Sequence, residues 1–129
     1  MAENERLERL NKRSGFNMHN GIKVTELNDE ICVVEGELKP ESLNPWGSAH
    51  GGFVYSLCDV AAGVAGSKGR KCVTQSGSIY YLRPGVGTKL RAEGKVIKNG
   101  KRVVLVETNV FSEDGTHVAR GEFQIFITE

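Results

Sequence analysis

The residues able to do chemistry crowd between Asn44 and Thr74. Asp59 stands among Leu57, Cys58, Val60, Ala61 and Ala62, in a run whose apolar residues recur at helical spacing. An aspartate there is a poor helix former and costly to bury. Its neighbours one turn away are Tyr55, Ser56, Ala62 and Gly63, none of them cationic, so no intrahelical salt bridge compensates it. Either Asp59 lies on a solvent-facing stripe of the helix, or it is a carboxylate kept for acid–base or nucleophilic work.

His50-Gly51-Gly52 opens the same helix. The first amides of a helix lack intrahelical partners and sit at the positive end of its dipole, and paired glycines let another group approach them closely. Such a start suits an oxyanion; the plainer alternative is a flexible helix start with His50 as a capping or packing residue. Asp59 follows His50 at a distance of about 13 Å along a helix rising about 1.5 Å per residue. One chain's helix therefore cannot bring both ends to one reacting carbon, whereas a second copy of the protein would. Asn44, held extended by Pro45, could orient a water or a carbonyl, or serve only as a turn initiator. Thr74 lies in a β-rich run, where simple alternation puts Ser76, Ser78 and Tyr80 on its face and Val73, Gln75, Ile79 and Tyr81 on the other. Taken alone, a strand threonine is structural.

These residues need elements to position them. Residues 3–14 carry Leu7 and Leu10 with Glu5–Arg9 and Glu8–Lys12 at i, i+4, which predicts a short amphipathic helix with Gly15 as its C-cap. Between Gly21 and Leu38, two β-rich runs flank Asn28-Asp29 and predict a hairpin. KPESLNPWGSA reads as a loop, and HGGFVYSLCDVAAGVAGSKG as the one long helix. The remainder is β, broken by turn signals at Pro84-Gly85, Asn99-Gly100 and Asp114-Gly115, so the last three strands should form an antiparallel meander. Roughly six strands and one apolar helix suggest an α+β domain, 1–129, with a sheet wrapped around that helix.

Composition narrows the partners. With 17 Lys plus Arg against 16 Asp plus Glu in 129 residues, no global field marks a binder of nucleic acid or of an anionic membrane. Cys32, Cys58 and Cys72 lack metal-site spacing and read as reduced, buried thiols. The charged N-terminus has no apolar leader region and no later stretch approaches the roughly 20 apolar residues of a membrane span. The expected compartment is the cytoplasm.

NPWGSAHGGFVYSLCDVAAG resembles the signature of hotdog-fold thioesterases of the phenylacetate-degradation type, and TQSGSIYYLRPG resembles the strand that follows it. This resemblance implies a hotdog fold, with an antiparallel sheet of five to six strands wrapped around one long helix. It implies hydrolysis of an aryl-, phenylacetyl- or medium-chain acyl-CoA. Asp59 would act on the thioester as base or nucleophile, Thr74 would support the attacking water and the Gly51 amide would hold the oxyanion. Asn44 and His50 would orient the acyl group or thioester. Coenzyme A, present only as part of the substrate, would lie along Tyr81, Leu82, Arg83, Pro84, Gly85 and Val86, and along Lys98, Asn99, Gly100, Lys101, Arg102 and Val103. No other cofactor and no metal is implied. The assembly would be a homo-oligomer, a dimer at least and a tetramer by expectation, with antiparallel central helices sharing each site. An apolar slot for the acyl group is expected from Phe53, Val54, Tyr80 or Trp46. Two other readings stand beside it: a hotdog hydratase or dehydratase, and a non-catalytic acyl-CoA sensor. For the KNGKR segment itself, a solvated basic hairpin is the plain alternative.

Overall fold

A computed structural model describes residues 3–129, with side chains from Glu5 onward. Two short helices come first, α1 (Glu3–Asn11) and α2 (Gly15–His19). Then come β1 (Ile22–Leu27), β2 (Ile31–Glu37), a 3-10 turn at Pro40–Ser42, and the long helix α3 (Gly51–Ser67). Strands β3 (Cys72–Tyr81), β4 (Lys89–Asn99), β5 (Val103–Ser112) and β6 (His117–Ile127) complete the chain. All strands pair antiparallel in one six-stranded sheet of order β1-β2-β4-β5-β6-β3, with the expected meander over β4 to β6.

The first helix is shorter than its periodicity predicts. It stops at Asn11, whose side chain accepts from the Val24 amide at 2.7 Å and donates to the Val24 carbonyl at 2.9 Å, tying the chain to the β1 edge. Gly15 is therefore not a C-cap. Ser14 starts α2 instead, its hydroxyl accepting from the Asn17 amide at 3.1 Å.

The sheet curls around α3. Phe53, Val54, Leu57, Cys58, Ala61, Ala62 and Ala65 form the buried face of that helix, against Val34, Leu90, Ala92, Val106, Phe123 and Ile125 from the sheet. Each large side chain buried in this way contributes about 1.5–3 kcal/mol. The helix lies so close that a Cβ at Gly94 of β4 would come within 2.6 Å of the Ala61 carbonyl oxygen, which is why the strand carries no side chain there. Cys32 and Cys58 are buried as expected, but Cys72, at the start of β3, is only half-buried. None of the described helices is long and apolar enough to cross a membrane.

The sheet leaves one flank of α3 uncovered. Strand β3 is an edge strand whose residues are mostly exposed, including Val73 and Tyr80. Beside it runs a half-exposed stripe of α3 that includes Tyr55, Ser56, Asp59, Val60, Gly63 and Val64.

Candidate active site

The start of α3 is fixed by side chains. His50 is the N-cap, with extended backbone (φ −61°, ψ 139°), and its Nδ1 accepts from the Gly52 amide at 2.9 Å. This bond needs the lone pair on Nδ1, so in the neutral ring the hydrogen sits on Nε2, free to donate outward. The amides of Phe53 and Val54 both reach the His50 carbonyl. Among the described residues the Gly51 N–H finds no acceptor, leaving one donor of the first turn open at the positive end of the helix. The Tyr81 hydroxyl donates to the Gly51 carbonyl at 2.9 Å, and Ser56 donates to the Gly52 carbonyl at 2.8 Å. Burial pushes the Tyr81 phenol above its ordinary range, which keeps it a donor. A Gly-Gly pair, free in isolation, is thus held at three of its polar groups.

Asp59 lies on the open flank of α3, half-buried rather than sunk in the core. Thr74 on β3 donates its Oγ1–H to Asp59 Oδ1 at 2.6 Å. Simple alternation along β3 misplaces this residue's neighbours. Thr74 pairs with Ile125 but Ser76 pairs with Gln124, so Gln75 is the extra residue of a β-bulge. Beyond the bulge the faces exchange. Thr74 shares the helix-facing side with Gly77, Ile79 and Tyr81, while Ser76, Ser78 and Tyr80 face outward opposite Gln124, Glu122 and Arg120. Four contacts then lace α3 to β3: Gly51 with Tyr81, Tyr55 with Gly77, Asp59 with Thr74, and Gly63 with Cys72.

The remaining expected residues divide. Asn44 organises its own loop: its Oδ1 accepts from the amides of Trp46 at 2.9 Å and Ser48 at 3.2 Å, and one of its two Nδ2 hydrogens goes to Ser48 Oγ at 2.9 Å. The 81–86 segment does lie at the start of α3, through Tyr81 and through the Gly85 carbonyl, which accepts from the Ala49 amide at 2.8 Å. Leu82 and Val86 are exposed along it, and Arg83 donates to the His117 carbonyl. The 98–103 turn sits at the other end of α3. There Arg102 exchanges bonds with Ile127, and Ile127 pairs with Cys72. The helix of 17 residues spans about 25 Å, so one chain keeps the two segments apart. It also keeps Gly51 about 12 Å from Asp59 along the same axis.

One chain alone does not bring together the residues named for the acyl slot. Phe53 and Val54 are in the core, Tyr80 points to the outer face, and Trp46 is 88 % exposed on its loop. Tyr55, Ser56 and Gly63 occupy the stripe beside Asp59 instead; they stand at i−4, i−3 and i+4 from it, a spacing that would have revealed them.

Known proteins resemble this chain in sequence and in fold. The family model described as "Thioesterase superfamily" matches residues 47–119, more than half of the chain. Acyl-coenzyme A thioesterase PaaI of Escherichia coli K12 is 31% identical over 101 residues, covering 77% of this chain and 72% of that protein. The structure of the E. coli PaaI protein superposes with a TM-score of 0.89 at 24% identity, over 97% of this chain and 92% of that one. The TT0310 protein of Thermus thermophilus gives 0.82 at 34% identity, over 89% and 98%. A Streptococcus pneumoniae TIGR4 thioesterase protein solved with coenzyme A gives 0.77 at 29% identity, over 83% and 85%. With the matched segment running from the loop before α3 into β6, and the sheet-wrapped helix in place, the chain belongs to the thioesterase superfamily and has its hotdog fold.

Proposed function

We propose that the chain is an acyl-CoA thioesterase whose active sites are each shared by two copies. The observation that carries this reading is the Asp59 carboxylate, fixed by Thr74 at 2.6 Å on the flank of α3 that its own chain leaves open. An antiparallel second copy, packed on that flank and on the exposed β3 edge, would bring its Gly51 amide level with Asp59. It would also unite the 81–86 segment of one copy with the 98–103 turn of the other.

The chemistry follows from the free atoms. Thr74 occupies Oδ1, so Oδ2 is the reactive oxygen. Acting as base, it takes a proton from water while the hydroxide forms a bond to the thioester carbonyl carbon. Acting as nucleophile, it attacks that carbon itself and water then cleaves the mixed anhydride. In both routes the negative charge collects on the carbonyl oxygen, where the Gly51 N–H stabilises it. Collapse expels coenzyme A as thiolate: in the base route it takes the proton held by Asp59, and in the nucleophile route it takes the proton released later, when water cleaves the anhydride. His50, with its hydrogen on Nε2, supplies a second donor toward the thioester. Coenzyme A enters only with the substrate, and no metal or other cofactor takes part. Lys98 and Lys101 serve the nucleotide phosphates as point charges.

The working unit is a homodimer, doubled to a tetramer, in the cytoplasm. A hydratase needs a histidine poised near the carboxylate. His19 lies in α2, and His117 bonds Asn109 while its ring stacks on Phe111, so neither serves Asp59. His50 is the histidine the shared site would bring near the carboxylate, and its Nδ1 is engaged by the Gly52 amide, so hydration is assayed as well. The test is a screen of free-thiol release over aryl-, phenylacetyl- and medium-chain acyl-CoAs, with crotonyl-CoA hydration followed in parallel. Thiol release with at least one acyl group supports the reading. Hydration without release, or neither, overturns it.

A further inference from the structure

A basic cleft lies at the far end of α3, outside the Asp59 site. Arg6, Arg9 and Leu10 share one face of α1, and Arg13 continues that face past the helix end. Lys68, Arg70 and Lys71 stand in the turn between α3 and β3. With the β1–β2 turn at Asn28 and Asp29, these groups enclose a cavity of about 520 Å³. Neither Asp59, Thr74 and Gly51 nor the 81–86 and 98–103 segments line it.

Cations just past a helix end are favourable by themselves, because the last carbonyls form the negative pole. That accounts for Lys68, Arg70 and Lys71. It does not account for three arginines brought to the same cleft from α1, since like charges gathered in one place repel. Asp29 and Glu129 are the acidic groups among the described lining residues. Neither closes an ion pair: the salt bridges among the described residues lie on Lys89, Arg91 and Arg120, and Glu129 accepts from the Lys71 amide at 3.1 Å. The net charge of the chain is only +1, so the excess is local. Acidic and basic residues alternate along α1, but the fold sorts them, and Glu5, Glu8 and Lys12 stay off the cleft.

The cleft also has an apolar floor, where Leu10, Leu27 and Val64 are half-buried and Ala65 is buried. Its volume is that of a small-molecule site, and arginine forks match phosphate oxygens. A single phosphate leaves most of the six cations unmatched. Two or three linked phosphates match more of them, and an attached planar base covers the floor. We infer that the cleft binds a nucleoside di- or triphosphate, its phosphates between the α1 arginines and the Lys68–Lys71 turn and its base on Leu10, Leu27 and Val64. This site goes beyond the thioesterase reading and stands without it. The nucleotide end of coenzyme A has the same chemistry, so the experiment separates the two sources.

The test measures ADP, ATP, tripolyphosphate and coenzyme A binding to the full chain by titration calorimetry at low and high salt. Three double variants are compared with wild type: Arg9→Gln with Arg70→Gln across the cleft, Arg6→Gln with Arg13→Gln on the α1 side alone, and Lys12→Gln with Lys23→Gln outside it. All six residues are exposed, so the wild-type Tm should be kept. Wild type and the Lys12/Lys23 control should bind ATP or ADP equally, more weakly at high salt. The Kd should rise at least tenfold in both cleft variants, while coenzyme A binds all four proteins alike. A coenzyme A affinity that falls together with nucleotide affinity would make the cleft part of the substrate site, and overturns a separate one. No nucleotide binding by wild type, an equal loss in the control, or tripolyphosphate binding as tightly as ATP would leave a solvated basic patch, and overturns the inference.

Discussion

Thr74 Oγ1 and Asp59 Oδ1 lie 2.6 Å apart although 15 residues separate them in sequence, and the β-bulge at Gln75 makes this contact possible. Without the extra residue, Thr74 would share the outward face of Ser76. A short bond to a carboxylate is charge-assisted and orients it. Replacing Thr74 by valine preserves shape and β-propensity while removing the donor, and should lower kcat by about tenfold to a hundredfold with KM little changed. Thr74→Ser should restore most of the loss. Equal activity of the valine and serine variants would show that the hydroxyl has no part in turnover.

Asp59→Asn keeps the side chain's size and can still bond Thr74, but it lacks a basic oxygen. Turnover should fall by at least about a hundredfold, with the melting temperature retained. Near-normal kcat would remove Asp59 from the chemistry.

Lys98 and Lys101 flank the β4–β5 turn and take no part in the ion pairs among the described residues, which lie on Lys89, Arg91 and Arg120. Replacing both lysines by alanine should raise KM for acyl-CoA more than it lowers kcat, and should flatten the salt dependence of KM, since exposed phosphate contacts are screened. Arg102 is left out because it bonds the Ile127 carbonyl and its loss would disturb the fold. A KM unchanged at low salt would leave the turn as a solvated hairpin.

The buried thiols give a pH signature. Burial pushes Cys58 up to about 11 and Cys32 up to about 12, from 9.0. A folded value above the unfolded one gives stability that is complete below pH 9 and is lost as pH rises toward 11–12, by about 1.4 kcal/mol per thiol for each pH step across that window. Denaturant titrations at pH 8 and pH 10.5 should show this loss, and Cys58→Ala should make it shallower. In the native state at pH 8, a thiol reagent should reach the half-buried Cys72 well before the other two. Equal reactivity of all three would contradict the packing around α3.

Much of this architecture is legible in the residues because its signals are local. Asn99-Gly100 and Asp114-Gly115 mark the hairpins, and the apolar spacing from Phe53 to Ala65 marks the helix that the sheet encloses. What is not legible depends on one residue or on distant neighbours. Gln75 carries no mark of a bulge, so alternation assigns Thr74 and Tyr81 to opposite faces when they share one. Asn11 ends α1 by bonding a strand that begins eleven residues later, and no helix propensity encodes that. Trp46 looks like the lining of a slot by size alone, yet its loop turns it to solvent.

The shared site is tested most directly by mixing two inactive chains. Gly51 is the first residue of α3, a position where proline is tolerated and its absent N–H removes only the open amide. His50 before it already has the extended backbone that a following proline requires, and a Cβ at Gly51 would sit 3.5 Å from Tyr81, an ordinary contact. Gly51→Pro and Asp59→Asn should each fold and each be nearly inactive. Co-expressed in equal amounts with random pairing, half the dimers are mixed, and each mixed dimer has one site with both defects and one with neither. Thiol release should recover to roughly a quarter of the wild-type value. If mixed dimers form, shown by tagged pull-down, and activity stays at the level of the parents, Gly51 and Asp59 serve one site from one chain, and the two-subunit site is wrong.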